Sequence, residues 1–327
     1  MDSHPTLGSL PNELLISILT QVPTASLLPL ITVSHRFYSV TLRIFKQRLN
    51  HATAQPDHRL MLECYHPTDK LYTPYLYCNY LHTDSLDGVE AEAEGAAEQQ
   101  SIPPPVEPKP THLGGLRGIY SHFRPVEHDE NPRRRTSRRP PRQGISSSGG
   151  QAHAGQQQQR SVLRPPTPEQ PSIDIYLDDD ESFSQLCATT NLVRMGPRPG
   201  LFRSHVNVSD GVVRVWRDWL AVQAARAGHQ QREGEGEGEG DDDHGNSAVL
   251  WADAARDVGV RFRVAEKDLR GQHQQPVLVA RDEQLPVAYR LGFEELLVRS
   301  TTLLVMMEKS EVQEVTAEGK AIVLASF

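Results

Sequence analysis

From Leu10 to Leu49 the apolar positions recur every three or four residues. Leu14, Leu15, Ile18, Leu19 and Val22 form one wide apolar face, the mark of a short amphipathic helix. Pro11 suits its first position, where a missing N–H costs nothing, and Glu13 sits favourably in the first turn. Pro23 ends it. Ser26 is a candidate N-cap for a second, shorter helix, which accommodates Pro29 among its orphan amides. Val33, Phe37, Val40, Ile44 and Phe45 mark a third helix running to about Leu49.

From Arg59 to Leu81 the period becomes two. "RLMLECY" and "YTPYLYCNYL" predict strands, with His66, Pro67, Thr68 and Asp69 as the turn between them. Five tyrosines gather here. Alternation puts Tyr75 and Tyr77 on one face and Tyr72 and Tyr80 on the other, with Tyr65 on the preceding strand, so cross-strand packing is expected rather than a ligand platform. After Asp87 the pattern is lost in "EAEAEG", "IPPPVEPKP", "RRRTSRRPPR" and "QQQQ", which bury too little apolar area to offset chain entropy. One island inside, "LGGLRGIYSHF" (Leu113 to Phe123), reads either as an extra strand or as a short docking motif.

Order returns near Ile173. "SFSQLCATTNLVRM", "LFRSHVNV", "GVVRVWRDWL", "GVRFRV", "PVLVA" and "TTLLVMME" predict short strands, with Ser209, Asp210 and Gly211 as a hairpin turn between two of them. Along "VWRDWL", alternation sets Val213, Val215, Arg217 and Trp219 on one face and Arg214, Trp216 and Asp218 on the other. The valine-rich face is the better core, leaving Trp216 with Arg214 either as an exposed aromatic–basic pair or packed under a neighbour. All three tryptophans fall in this half, as in an antiparallel sandwich core. The fold class expected is α+β: a small three-helix module over residues 7–50, then a mostly antiparallel, sandwich-like β domain with long disordered inserts. Its first strands lie in 59–86, a disordered low-complexity insert spans 87–171, and the β-rich remainder covers 172–327. An acidic loop, 228–246, interrupts that remainder.

Composition agrees with a partly unstructured chain. Only 37% of the 327 residues are hydrophobic and 6% aromatic, with 24 prolines and 23 glycines. A net charge of −8 argues against whole-surface attraction to nucleic acid or membrane. No apolar run approaches the ~20 residues of a spanning helix, and the first residues carry Asp2 without a basic segment, so no secretory signal is expected. Cys64, Cys78 and Cys187 are scattered, which suggests a reducing compartment and excludes a paired-cysteine zinc array.

Catalysis finds no support in the sequence. No P-loop, G-x-S-x-G, G-x-G-x-x-G or H-E-x-x-H motif occurs, and Cys187 is expected to be buried in a strand. His122, His128, Asp129 and Glu130 lack ligand spacing and read as solvated groups on the surface; no metal or other cofactor is expected. Arg133, Arg134, Arg135, Arg138, Arg139 and Arg142 read as a solvated linker or an import signal. Without interleaved aromatics they are not expected to bind nucleic acid.

The first helix has more apolar width than two small neighbours can cover, and an uncovered apolar patch on a small module marks a protein interface. Leu10-Pro11-x-Glu13-Leu14-Leu15-x-x-Ile18-Leu19, then Val22-Pro23, Leu27 and Val33-Ser34-x-Arg36-Phe37, resembles an F-box domain almost position for position. Ser26 stands where members often carry an acidic residue, and Phe45 near a common Trp. The resemblance implies a module that docks on the Skp adaptor of cullin-RING ubiquitin ligases through Leu10, Pro11, Leu14, Ile18, Val33 and Phe37. The rest of the chain would then select an unknown target protein, in the cytoplasm or nucleus, without chemistry of its own. The alternatives are a non-degradative F-box scaffold and an F-box fused to a β-sandwich lectin or hydrolase.

Overall fold

In the computed structural model the described residues are 10–70, 73–84, 118–127, 170–198, 201–232, 248–267, 285–316 and 322–323. The chain opens with α1 (Asn12–Leu19), α2 (Thr24–Leu27), a 3-10 turn (Leu28–Thr32) and α3 (His35–Ala54). α2 begins at Thr24, two residues before the expected cap Ser26, because Pro23 supplies the extended residue that precedes the helix. Pro29 opens the 3-10 turn, where it has no amide to lose. Ser34 caps α3 by accepting from the Phe37 amide at 3.3 Å.

Strands β1 (His58–Tyr65), β2 (Leu76–Thr83), β3 (Tyr120–Glu127), β4 (Ser172–Leu177), β5 (Phe183–Met195) and β6 (Leu201–Trp216) follow. After β6 come α4 (Arg217–Arg232), β7 (Val249–Trp251), β8 (Val258–Glu266), β9 (Val287–Arg299), α5 (Ser300–Thr316) and β10 (Ile322–Val323). The β domain is mostly antiparallel, as expected, but it is one ten-stranded sheet rather than two packed sheets. Its order is β10-β6-β5-β1-β2-β3-β9-β8-β7, with β4 also on β9. β3 and β4 share one edge of β9: β4 pairs from Val287 to Gly292 and β3 from Leu296 to Arg299. The long sheet curls until β6 meets the loop after β7. A Cβ on Gly211 would lie 2.0 Å from the Ala252 carbonyl oxygen. The result is barrel-like, so one continuous interior serves where a sandwich would have needed a second sheet.

That contact corrects the expected hairpin. Ser209, Asp210 and Gly211 lie within β6, paired with Thr190, Thr189 and Ala188 of β5. Gly211 is there for the close approach of another backbone, a use of strand glycine that a turn motif imitates. The reversal between β5 and β6 falls instead at Gly196, whose amide bonds the Leu201 carbonyl at 2.8 Å. "TTLLVMME" is likewise helix α5, not strand. Leu303, Leu304 and Met307 make one buried stripe, and Leu, Met, Glu and Lys favour the helix. "RDWL" starts α4, which runs on through residues 228–232, into the expected acidic loop. The expected disordered insert contains β3, the strand that joins β2 to β9 at the centre of the sheet. Of the two readings of the island, the strand holds from Tyr120 onward. The rest of that insert outside 118–127 and 170–171, the acidic run and the "PVLVA" segment lie outside the described residues.

A single apolar core runs from Leu15 and Leu42 through Leu60, Val215, Val260 and Leu291 to Met307. Helices and sheet are therefore not separate globules. A smaller cluster, Met61, Tyr77, Val193 and Phe202, lies on the opposite face of the sheet, with Tyr75 edge-on to Tyr77 at 5.5 Å. Tyr77 thus packs across strands as alternation predicted, while Tyr72 lies outside the described residues. No described helix is long and apolar enough to cross a membrane.

Two outcomes follow from this packing. Gly211→Ala forces β6 away from Ala252 and should lower stability by about 3 kcal/mol, read as a drop in the thermal midpoint. His58 bonds Ser310 of α5 through Nε2 at 3.1 Å, while its Nδ1 is buried without a partner. Burial first, and then the Arg194 charge, depress its pKa from 6.5 to about 4. An unfolded chain binds the proton at higher pH than the folded one, so stability is full above pH 6.5 and falls as the pH drops towards 4. The loss should be about 2 kcal/mol once partial exposure is allowed for. His58→Gln should flatten that acid limb in denaturant titrations at successive pH values.

Candidate functional site

The first helix has two unlike sides. Leu15 and Leu19, one turn apart, are buried in the core shared with α3. Pro11, Leu14 and Ile18, spaced three and four residues apart, form the neighbouring stripe and face outward. Leu14 is 53% and Ile18 48% exposed, and Val33, just after the 3-10 turn, is 63% exposed. Leu10 and Phe37 are half-buried, with Phe37 packed against the core. The structure therefore leaves Pro11, Leu14, Ile18 and Val33 open and ties Leu10 and Phe37 into the frame behind them.

Arg36 holds that frame. Its Nε donates to Asn12 Oδ1 at 2.8 Å and its Nη2 to the Leu10 carbonyl. The start of α1 is thereby fixed to the start of α3.

A second arginine joins the helices to the sheet. Arg48 of α3 donates through Nη1 to Thr24 Oγ1 at 2.7 Å and to Glu308 Oε1 of α5 at 2.8 Å. Its Nη2 reaches the carbonyls of Thr20 and Val22, at 3.1 and 2.6 Å. The Glu308 carboxylate also accepts from the Thr24 amide at 2.9 and 3.0 Å and from Thr24 Oγ1 at 2.6 Å. No side chain of α2 caps its N-terminus. Glu308 does so from 284 residues away, placing negative charge at the positive end of the helix. Sequence reasoning missed this joint because neither Thr24, Arg48 nor Glu308 carries a local signal of its partner.

Cys64 and Cys78 lack the setting of a transfer nucleophile. Burial pushes Cys64 up to about 12, with Cys187 adding to the shift, and it raises Cys78 further still. Cys187 is only partly buried in β5. Trp216 is 49% exposed and tilted against Phe183 at 4.9 Å, with Arg214 over the Phe183 ring. Trp219 is half-buried on α4 against the core. The valine face is core, as alternation predicted, and of the two readings of Trp216 the exposed one holds, although the strand ends at Trp216. Of His122, His128, Asp129 and Glu130, the last three lie outside the described residues, as does the arginine tract, while His122 is buried on β3 and not the surface group expected. Among the described residues it gathers instead with His82 and Asp84, the group with donors placed to hold a metal.

Residues 7–50 match the family model described as F-box-like. The chain carries an F-box-like domain. No curated protein and no solved structure matches it. The F-box residues fall where the geometry is already clear: α1, α2, the 3-10 turn and most of α3, with the outward stripe on α1 and Arg48 near the end of the matched segment. A double-mutant cycle with Arg48→Met and Glu308→Gln should give a coupling of about 1–3 kcal/mol in denaturant unfolding. Each single change should loosen the F-box from the sheet, with limited proteolysis cutting first around Pro23 rather than within the β domain.

Proposed function

We propose that this F-box protein is the substrate-recognition subunit of a cullin-RING ubiquitin ligase. In this reading it docks on the Skp adaptor through Leu10, Pro11, Leu14, Ile18, Val33 and Phe37, and its β domain, within residues 59–86 and 172–327 and completed by β3, holds the target protein. The observation that carries the reading is the outward stripe: apolar side chains left open on a helix whose other side is already satisfied in the core. Pro11, Leu14, Ile18 and Val33 supply the contact area, while Leu10 and Phe37 support it from behind.

The role requires no chemistry from the chain itself. A target held on the β domain stands at high effective concentration near the charged ubiquitin enzyme, so a bimolecular transfer becomes local. The Arg48–Glu308–Thr24 joint supports this because a target bound to a rigidly attached domain keeps a defined orientation towards the ligase. Action in the cytoplasm or nucleus accords with the sparse cysteines.

Leu14→Asp and Ile18→Asp test the docking face. Both positions are exposed, so the thermal midpoint should stay within a few degrees of wild type. Adaptor affinity, measured by titration of purified adaptor, should fall more than a hundredfold, about 2.7 kcal/mol. Leu15→Asp, in the core, should instead unfold the module. Undiminished adaptor binding by both exposed variants would refute the docking face. Adaptor binding by the intact protein without ubiquitination of any protein that co-purifies with its β domain would favour the non-degradative scaffold.

A further inference from the structure

On the opposite face of the sheet from α5, the β2–β3 ladder brings together residues that the sequence holds far apart. His82 and His122 are direct cross-strand partners. They become so only through an irregularity. Tyr80 pairs with Phe123 and His82 with His122, so Leu81 is an extra residue on β2. Without it Leu81 would oppose His122, and His82 would turn to the other face. The two imidazole rings lie nearly parallel, with centroids 4.3 Å apart and planes 11° apart.

Asp84 completes the cluster from just beyond β2. Its amide donates to the Tyr120 carbonyl at 2.9 Å and its Oδ2 accepts from the Tyr120 amide at 2.8 Å. That leaves Oδ1 directed at His122 Nε2, 3.0 Å away. On the far side of the ring, His122 Nδ1 meets Glu295 Oε2 at 3.1 Å, and Arg261 Nη1 holds the same oxygen at 2.7 Å. His122 is only 6% exposed, whereas His82 faces solvent.

We propose that His82, Asp84 and His122 bind a divalent transition-metal ion, with Zn²⁺ as the best fit to two imidazoles and a carboxylate. One donor atom from each lies within 4.8 Å of the other two. In a tetrahedral site with metal–ligand distances of about 2.0–2.2 Å, donors stand roughly 3.3 Å apart. The Asp84–His122 edge is already near that length, so closure asks only for a turn of the exposed His82 side chain. Glu295 occupies the outer position that a ligating histidine requires. It accepts the Nδ1 proton, fixes the tautomer and leaves the Nε2 lone pair for the ion, while Arg261 fixes Glu295. A fourth position opens to solvent on the His82 side and takes water. The ion clasps the end of β2 to β3, the strand that joins β2 to β9.

The test uses the full chain, stripped with chelator and titrated with Zn²⁺ alone by calorimetry, with Co²⁺ as a spectroscopic probe. Wild type should bind one ion more tightly than any other site on the chain, gain thermal stability with it, and give the intense visible bands of tetrahedral Co²⁺. His82→Ala, at an exposed position, should fold normally but bind at least tenfold more weakly and lose those bands. Asp84→Asn should do the same. If the ion binds both variants as tightly as wild type, or if wild type shows neither Zn²⁺-dependent stabilisation nor tetrahedral Co²⁺ bands, the site is a structural ion pair of His122 with its two carboxylates and the proposal fails.

Discussion

Three parts of the molecule meet at one carboxylate. Glu308 accepts from the amide and hydroxyl of Thr24 and from the guanidinium of Arg48, and it belongs to a helix that grows directly out of β9. Its side chain and that of Arg48 are only partly exposed, so charge-assisted hydrogen bonds act there with little screening. Removing either partner would leave the other a poorly solvated charge, a larger penalty than the loss of one ordinary contact. The F-box is consequently a fixed projection of the β domain, and the orientation of its outward stripe is set by the C-terminal helix.

Closure of the sheet imposes a second constraint. β6 can approach the loop after β7 only where one residue lacks a side chain, and Gly211 provides that point. α4 then folds back onto β8 with Leu220 in the core. Arg217, at the head of α4, donates to the carbonyls of Glu181 and Leu285 at 3.0 and 3.1 Å, tying the turn after β4 to the start of β9. Polar contacts at the rim thus close what apolar packing fills.

What was legible in the sequence was what is local. The α1 stripe and its buried counterpart follow from helical period alone, and Leu14, Ile18 and Val33 are open as the apolar excess of the module implied. Strands rich in β-branched residues, such as β5 and β8, were equally plain. Errors arose where a local signal serves a distant purpose. Ser209-Asp210-Gly211 imitates a turn because a close backbone approach and a turn both ask for glycine. "TTLLVMME" opens with β-branched residues and yet continues as a helix, its leucines and methionine packing onto the sheet. The pairings of His82 with His122 and of Thr24 with Glu308 had no local trace, since each depends on chain segments that meet only in the folded state.

The position of β3 also sets the order of assembly. Its Ser121 hydroxyl hydrogen-bonds Ser300, 179 residues further along the chain, and no shorter route joins β2 to β9. During synthesis the strands already made must wait with an unpaired edge until nearly the last helix has emerged, a long-range closure of the kind that slows folding and invites chaperones. A chain interrupted before β9 would carry its F-box helices without α5 and Glu308, the contacts that fix them to the sheet.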